Sequence, residues 1–397
     1  MIVHGKTTTA YPVARQRRTI LSVLGICHFA NDFYFMIIPP LLPFLARDFQ
    51  LTYFQTGMLV FMANIVSSVL QPFIGYFSDV MMWRRLAIIV GLSLYALTAF
   101  ALGLVPNYAI LLVILFLMGL GGSTYHPQST YFITMYFQKN RATASGVHGI
   151  ANPIGFVLAP IAITTLISMT GSWRITTMLM IVPGAIAALL AWRVLDEPKI
   201  RGSKGILVGI INGPIILLTL VAGFTLAVFT GFITFLPFQS QSANSNIPWT
   251  WWLPLTLLPG IVSQPLGGLI ADKIGRRNLI TLGLGVLSVG LFGFIITTGT
   301  VTLGFSMITG FCLSLLIPVC LIYAAELAVG ERVGTAVGVM WGFASGMGAV
   351  APLWVGYLRD VFPDFRLAFL SLLLIALIGT VMSVFLPGPK RTNEKVT

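Results

Sequence analysis

Long apolar stretches without a charged residue are the feature that most restricts how this chain folds. Residues 86–105 and 369–386 are two examples, and others follow one another along the chain. A membrane hydrocarbon core about 30 Å thick is crossed by roughly 20 apolar helical residues. Only 9% of the 397 residues are charged, against roughly 25% in an average soluble domain. The sequence therefore predicts an all-α membrane protein with many crossings.

Apolar runs bounded by charges, proline and glycine predict twelve transmembrane helices in two groups of six. The first six are expected near 19–45, 53–79, 86–105, 108–135, 142–169 and 174–194. The second six are expected near 207–238, 250–272, 279–298, 301–327, 333–358 and 366–386. The predicted organisation is a tail at 1–18, a first half at 19–195, a linker at 196–206, a second half at 207–387 and a tail at 388–397.

The basic residues fall mainly on one side of the predicted membrane. With the N-terminus in the cytosol, 19 of the 23 Lys and Arg lie on the cytosolic side. The four on the other side are Arg47, Arg174, Arg359 and Arg366. The positive-inside rule then predicts cytoplasmic N- and C-termini in a multi-pass protein of the cell inner membrane. Because the net charge of +12 follows membrane topology, we expect no nucleic-acid partner.

The two predicted halves repeat a set of residues in the same order. At an offset of 193 residues, the set Gln71, Pro72, Gly75 and Asp79 recurs as Gln264, Pro265, Gly268 and Asp272. At an offset of 192 residues, the set Arg84, Arg85, Thr143, Ala144, Gly146 and Pro160 recurs as Arg276, Arg277, Thr335, Ala336, Gly338 and Pro352. Chance is a poor explanation for a set that keeps its order and spacing.

Two six-helix halves with equivalent loops after their second helices resemble the major facilitator superfamily, whose halves are related by an axis along the membrane normal. Within that pattern, HxxND at 28–32, GLGGSTYHP at 119–127 and RATASGVHG at 141–149 resemble the fosmidomycin-resistance branch. The resemblance covers nearly the whole chain. It implies two pseudo-symmetric halves and transport by alternating access.

The resemblance also implies that the loop after helix 2 gates the cytosolic face. The residues expected in this gate are Gly75, Asp79, Arg84 and Arg85, with Asp272, Arg276 and Arg277 from the second half and Glu326 and Arg332 after helix 10. Glycine permits close helix approach, and an aspartate at a helix end pairs with arginines of the loop or of the other half. The alternative is that these charges only set the topology or flank the membrane.

Asp32 is the only one of the eleven acidic residues that is predicted near the middle of a helix. A charge at that depth costs at least roughly 2.5 to 3.5 kcal/mol, so such residues mark transport pathways or proton relays by default. His28, Asn31 and Asp32 have i, i+3, i+4 spacing and share one helix face. We therefore predict proton coupling through Asp32 and His28. The alternative is that these residues only tie helix 1 to its neighbours by hydrogen bonds.

Helices 4 and 5 are predicted to add polar residues at a similar depth. Pro127 lacks an N–H, which frees a carbonyl group near Ser123 and favours a break in helix 4 beside His126. His148 and Asn152 share one face of helix 5, and a proline follows them. The predicted substrate cavity contains Asn31, His126, Gln128, His148 and Asn152, with Phe232 and Gln239 of helix 7 on its second wall. Structural hydrogen bonding and aromatic packing are the alternatives.

The absence of Lys or Arg deep in any predicted helix favours a neutral, cationic or amphiphilic substrate over a strongly anionic one. The resemblance points the other way, because fosmidomycin is a phosphonate, and protonated histidines would supply the missing charge. We predict a secondary active transporter that exports a drug-like or amphiphilic compound in exchange for protons. Proton-coupled uptake or uniport of a small metabolite is the alternative, and a membrane receptor or scaffold is a remote one.

The sequence gives no indication of enzymatic chemistry. It contains no HExxH, GxSxG or P-loop pattern, which are common signatures of catalytic or phosphate-binding sites. Cys27, Cys312 and Cys320 lie in apolar segments without CxxC spacing and indicate neither disulfides nor a thiolate metal site. We expect no metal and no cofactor. The predicted partners are the small-molecule substrate, protons and the lipid bilayer, and the predicted assembly is a monomer.

Overall fold

The computed structural model describes residues 14–197, 212–328 and 333–388, and every regular element in these ranges is a helix. Twelve of the described helical spans are long and apolar enough to cross a membrane. Seven of them are continuous, namely helix 2 (Tyr53–Met81), helix 3 (Arg84–Leu102), helix 7 (Gly213–Gln241), helix 9 (Arg276–Ile296), helix 10 (Gly299–Leu327), helix 11 (Val333–Val361) and helix 12 (Arg366–Ser383).

The other five spans are interrupted. They are helix 1 (Ala14–Met36 and Ile38–Phe49), helix 4 (Tyr108–Gly122 and Tyr125–Tyr136), helix 5 (Arg141–Gly149 and Ala151–Thr170), helix 6 (Trp173–Leu179 and Ile181–Val194) and helix 8 (Trp252–Leu257 and Gly260–Ile274). Single 3₁₀ turns, Gln138–Asn140 and Trp249–Trp251, precede helices 5 and 8. The predicted all-α fold with twelve transmembrane helices is confirmed.

Two helices begin five or more residues from their predicted starts. Helix 1 begins at Ala14 instead of residue 19, because the basic segment before the apolar stretch continues the helix. Helix 7 begins at Gly213 instead of residue 207, where the Asn212 side chain accepts a hydrogen bond from the Ile215 N–H at 2.9 Å and caps the first turn. Most of the linker predicted at 196–206, and most of both predicted tails, lie outside the described residues.

Helix 4 is interrupted at Ser123 and Thr124, which is the break that Pro127 predicts. The Ser123 hydroxyl donates to the carbonyl O of Leu120 at 2.7 Å, and the Thr124 hydroxyl donates to that of Gly121 at 2.9 Å. Side-chain hydroxyls therefore bond carbonyl groups at the break, as buried non-helical backbone in a membrane requires. The prediction of a break at this point is confirmed.

Helices 1 and 5 are interrupted by the same chemistry. Ile37 separates the two parts of helix 1, and Pro39 and Pro40 stand in the first turn of the second part. Ile150 separates the two parts of helix 5, three residues before Pro153. Proline has no N–H to donate to the preceding turn, so the helix is weakest there. Helices 1, 4 and 5 are thus each interrupted close to the polar residues expected at mid-membrane.

The twelve helices form two six-helix halves that pack side by side. Helix 1 packs against helices 5 and 6 in the first half, and helix 7 packs against helices 11 and 12 in the second. Helix 2 contacts helix 11, helix 5 contacts helix 8, and the second part of helix 1 contacts helix 7, so these six helices join the halves. Because the number of crossings is even, Ala14 and Gly388 lie on the same side of the membrane. We call that side the terminal face and the other side the opposite face.

Near the opposite face the halves are in backbone contact through helices 2 and 11, in a region that we call the opposite-face seal (Tyr53, Gly57, Pro352, Gly356 and Asp360). A Cβ atom on Gly57 would lie 2.2 Å from the carbonyl O of Pro352. A Cβ atom on Gly356 would lie 2.3 Å from the carbonyl O of Tyr53. The Asp360 carboxylate accepts from the backbone N–H groups of Tyr53 and Phe54, each at 2.8 Å. A carboxylate of one half thus caps a helix of the other.

Candidate functional site

Six polar side chains from helices 1, 4 and 5 meet at mid-membrane, in a group that we call the polar cluster (His28, Asn31, Asp32, His126, His148 and Asn152). Asp32 is its centre and is 3% exposed. Its Oδ1 accepts from Asn31 Nδ2 at 2.8 Å, and its Oδ2 accepts from Asn152 Nδ2 at 2.6 Å. His28 Nε2 lies 3.1 Å from the same Oδ2. The expected contact between His28 and Asp32 on one face of helix 1 is therefore present.

Both ring nitrogens of His28 face hydrogen-bond acceptors. Nδ1 lies 2.9 Å from the carbonyl O of His148, and a carbonyl oxygen only accepts, so Nδ1 carries a proton. Nε2 faces Asp32 Oδ2, and the contact requires one proton between these two atoms. That proton makes either an imidazolium beside a carboxylate or a neutral imidazole beside a carboxylic acid. In both forms the pair holds one exchangeable proton in a buried site.

His148 anchors the cluster to the rest of the first half. Its ring stacks on that of His28 with centroids 4.2 Å apart and an interplanar angle of 8°. Its Nε2 lies 2.8 Å from the Tyr125 hydroxyl, and that hydroxyl donates to the carbonyl O of Leu24. The hydroxyl therefore accepts from His148, which places the His148 proton on Nε2. His148 thus supports the His28 ring by stacking.

His126 is the member of the polar cluster most open to its surroundings, with 39% of its side chain exposed. Its Nε2 lies 3.3 Å from Asn31 Nδ2 and 3.7 Å from Asp32 Oδ1. Asn31 Oδ1 is buried and has no hydrogen-bond partner among the described residues. The exposed imidazole and the unpartnered oxygen give this edge of the cluster spare capacity to bond a water molecule or a substrate.

Three members of the polar cluster also have the spacing of a metal site. The ligand atoms of His28, Asp32 and His126 all lie within 4.8 Å of one another. A proton between the first two already satisfies their contact, and the expectation from the sequence is that no metal binds. The metal content of the purified protein is the direct measurement of that expectation.

Asn152 extends the polar cluster across to the second half. Its Oδ1 accepts from Gln264 Nε2 of helix 8 at 2.7 Å, while its Nδ2 donates to Asp32. In the sequence, Gln264 stands out only as the repeat partner of Gln71, and no local pattern places it at the site. Tyr125 was not predicted at the site either, although it directly precedes His126 in the GLGGSTYHP run.

Three residues expected in the substrate cavity lie elsewhere. Gln128 is buried between helices 4 and 2, where its Oε1 accepts from the Ser78 hydroxyl at 2.8 Å. Phe232 is fully buried and packs against Phe294 and Phe369, with ring centroids 5.0 and 5.8 Å away. The aromatic stripe of helix 7 therefore packs inside the second half at this position, because both sides of that helix are apolar. Gln239 stands in the last turn of helix 7, close to the opposite face.

On the terminal face, the arginines after helix 2 bond within their own half. Arg84 is fully buried; its Nη1 lies 3.4 Å from Glu197 Oε1 and its guanidinium 3.8 Å from the Tyr131 ring centre. The Arg85 N–H donates to Glu197 Oε2 at 2.7 Å, and its guanidinium donates to the carbonyl O of Trp192. Both arginines therefore hold the end of helix 6 against the start of helix 3.

The equivalent arginine of the second half also bonds within its half. Arg276 lies 2.6 Å from Asp272 Oδ1 and 3.1 Å from Glu326 Oε1. Arg277 donates to the side chain of Asn278 at 3.3 Å. The pairing of Glu326 with the loop after helix 8 is thus present. Glu326 and Arg276 join helices 10 and 9, so this pair does not bridge the halves.

Three further gate residues complete the expected set. A Cβ atom on Gly75 would lie 3.3 Å from the side chain of Pro127, so glycine lets helices 2 and 4 approach closely. The side chain of Asp79 and the whole of Arg332 lie outside the part of the chain that the structure describes. The gating role of this group remains a prediction.

The polar bonds between the halves lie from mid-membrane to the opposite face. Besides the Asp360 contacts and the Asn152–Gln264 bond, the Thr164 hydroxyl donates to the carbonyl O of Thr250 at 3.0 Å. The ion pairs described at the terminal face each stay within one half. Within the part of the chain that the structure describes, the polar bonds given above thus join the halves from mid-membrane to the opposite face.

Comparison with known proteins agrees with this architecture. The chain is 27% identical to the fosmidomycin resistance protein of Escherichia coli over 411 residues, which cover 96% of this chain and 95% of the relative. It is also 27% identical to the uncharacterized MFS-type transporter YfnC of Bacillus subtilis, over 98% of this chain and 95% of the relative. These relatives confirm the resemblance that the sequence motifs carry.

A solved structure shares the fold. It is that of a bacterial homologue of the human lysosomal transporter Spinster in an inward-facing and occupied conformation, with a TM-score of 0.79, 16% sequence identity and coverage of 94% of this chain and 97% of that one. The family model of the Major Facilitator Superfamily matches residues 24–301 and 248–397. With two six-helix halves and a family match over most of its length, this chain belongs to the Major Facilitator Superfamily of small-molecule transporters.

Proposed function

We propose that this protein exports a drug-like or amphiphilic compound in exchange for protons, by alternating access. The observation that carries the proposal is the single proton required between His28 Nε2 and Asp32 Oδ2. A buried group that must hold a proton, next to the His126 imidazole, which is 39% exposed, is suited to accept a proton on one side of the membrane and release it on the other.

The proposed orientation has the terminal face in the cytosol. The bias of Lys and Arg supports it, since the topology predicted from the sequence assigns 19 of the 23 to that side. The location that follows is the inner membrane of the cell, with both termini cytoplasmic. The bond pattern between the halves then corresponds to a cavity that opens toward the cytosol.

The proposed cycle uses two protonation states of the polar cluster. When the cavity faces outward, a proton joins Asp32 and the substrate leaves. When the cavity faces the cytosol, Asp32 is bonded by Asn31 and Asn152, both of which donate to it. Two fixed donors favour the carboxylate, so the proton taken up outside is released while the one shared with His28 stays, and a new substrate binds. Rocking of the two halves connects the two states.

The substrate class rests on two features. The polar cluster contains no Lys or Arg, and His126 is its exposed member. A neutral or cationic amphiphile fits a cavity in which Asp32, the one acid, is ionised when the cavity faces the cytosol. A relative that is named for resistance to fosmidomycin supports a drug-like compound. We propose that the protein acts as a monomer, because each chain holds a complete polar cluster.

We expect the protein to raise the drug tolerance of a bacterial host that lacks its main efflux pumps. Host cells expressing the wild type should tolerate at least about fourfold more of one compound class, among phosphonates, cationic amphiphiles and neutral antibiotics. A protonophore should abolish that tolerance. Cells expressing an unrelated membrane protein at the same level are the control. Normal expression without tolerance to any class would contradict export and favour uptake of a metabolite. Substrate binding by the purified protein without transport would favour a receptor.

The orientation is tested separately by thiol labelling of intact cells. Cysteine at Leu104, which is 60% exposed at the opposite face, should react with a membrane-impermeant thiol reagent. Cysteine at Lys273 of the terminal face should react only after the cells are opened. The native cysteines are buried and give a low background. Labelling of position 273 in intact cells would reverse the proposed orientation.

A further inference from the structure

The bond between Asn152 and Gln264 connects the buried acid of one half to a helix of the other half. Asn152 stands between two partners and gives each a different end of its amide. Its Nδ2 donates to Asp32 Oδ2 at 2.6 Å, and its Oδ1 accepts from Gln264 Nε2 at 2.7 Å. A carboxylate oxygen only accepts, so an ionised Asp32 fixes which way the amide points.

The first of these two contacts lies inside a rigid packing unit. A Cβ atom on Gly155 would lie 2.8 Å from the carbonyl O of Phe29 and 3.3 Å from Asp32 Cβ. Helices 1 and 5 are therefore in backbone contact one turn from Asn152, and they move together. The contact with Gln264 crosses from helix 5 to helix 8, which belong to different halves, so it lengthens when the halves separate.

No other polar bond between the halves, within the residues described here, touches the polar cluster. The Thr164–Thr250 bond and the Asp360 contacts lie nearer the opposite face. The Asn152–Gln264 bond is thus the direct polar connection between the proton site and the movement of the halves.

We propose that Gln264 is the positioning residue through which the protonation of Asp32 changes the contact between the two halves. The inference rests on the proposed proton coupling and deepens it. The proton shared with His28 already occupies one side of Asp32 Oδ2. When a second proton joins this oxygen, its O–H points at Asn152, so Oδ2 donates to Asn152 instead of accepting from it. The Asn152 amide then turns its oxygen toward Asp32 and its N–H groups toward Gln264. Two sets of N–H groups face each other, and the bond between the halves is lost unless Gln264 also turns.

The titratable groups around Asp32 come from four helices. They are His28 on helix 1, Tyr95 on helix 3, Tyr125 and His126 on helix 4, and His148 on helix 5. Helix 8 contributes the neutral amide of Gln264. That amide carries no charge and does not contact Asp32 directly. Its removal is therefore expected to leave proton binding at Asp32 in place, while proton binding no longer changes the separation of the two halves.

The test measures the separation of the halves without a substrate. Spin labels at Leu104 and Pro363, which are exposed on the opposite face in different halves, report the distance across that face by pulsed electron resonance in lipid nanodiscs. For the wild type, the ratio of long to short distances should rise about tenfold between about pH 8 and about pH 5.5. For Gln264→Ala this rise should fall below about twofold. Gln71→Ala, at the repeat position, is the matched control and should keep the wild-type response.

Gln264→Glu supplies a readout that a purely structural role would not move. A glutamate donates to Asn152 Oδ1 only when it is protonated, and when ionised it accepts from the N–H groups of a turned Asn152. The ratio of long to short distances should therefore fall on acidification in Gln264→Glu, the reverse of the wild-type response. A normal response of Gln264→Ala, or a rise on acidification in Gln264→Glu like that of the wild type, would overturn the inference while leaving proton coupling intact. A wild-type distance ratio that ignores pH would instead refute the proposed coupling itself.

Discussion

Replacement of Asp32 with asparagine is expected to lower proton-driven transport about 100-fold while the protein still folds. The folding part of this prediction follows from the hydrogen bonds. Asparagine keeps Oδ1 as the acceptor for Asn31 Nδ2, and its Nδ2 donates to a neutral His28 at Nε2. The Asn152 amide, which donates to Oδ2 in the wild type, must turn its oxygen toward this NH2 group. One contact therefore rearranges, while the others find partners without the shared proton. The variant therefore loses the exchangeable proton and keeps the shape of the cluster.

Transport in proteoliposomes separates these two effects. Substrate accumulation driven by a pH gradient should disappear in Asp32→Asn, whereas exchange of labelled for unlabelled substrate without a gradient should continue. Asp364→Asn is the control, because Asp364 accepts from the Arg366 N–H in an exposed loop, and asparagine makes the same bond. Gradient-driven accumulation by Asp32→Asn at more than about a third of the wild-type rate would remove Asp32 from the proton pathway and favour its structural alternative.

The sequence predicted those parts of the site that depend on one helix. His28 and Asp32 lie four residues apart, so the helical repeat alone places them in contact, and the 3.1 Å distance agrees. Pro127 removes a backbone donor at a known position, so the break in helix 4 was also predictable. Neither inference needs knowledge of how the helices pack against each other.

The parts that sequence reasoning missed depend on packing between helices. Gln264 reaches Asn152 only because helices 5 and 8 cross at that depth, and no local pattern marks the crossing. Phe232 was predicted in the cavity because helix 7 carries an aromatic stripe. That helix is apolar on every side, however, so its sequence does not show which side faces the cavity. The structure buries the ring against Phe294. Glu197 likewise reaches Arg84 across the end of a half, at a separation of more than one hundred residues.

The opposite-face seal supports the second prediction with a large expected effect, which is that Gly356→Val stops transport by holding that face open. A Cβ atom at Gly356 would lie 2.3 Å from the carbonyl O of Tyr53 and 2.9 Å from the Phe54 N. Both are backbone atoms that cannot rotate away, so helices 2 and 11 must separate. Overpacking of this kind costs about 1 to 3 kcal/mol. That cost is comparable to the free-energy difference of a few kcal/mol between two conformations of a protein.

The added methyl groups act only when the face is closed, so the valine destabilises one state of the cycle and spares the other. The spin-label distance between positions 104 and 363 should therefore lengthen, and transport should fall at least about tenfold. Gly346→Val on the same helix is the matched control, because a Cβ atom there meets nothing within 4 Å. A lower melting temperature, or loss of the monodisperse size-exclusion peak, in Gly356→Val alone would show misfolding. Gly57→Val, which meets Pro352 across the same seal, then provides the independent test. Wild-type transport by both valine variants would show that helices 2 and 11 do not need to touch for the opposite face to close.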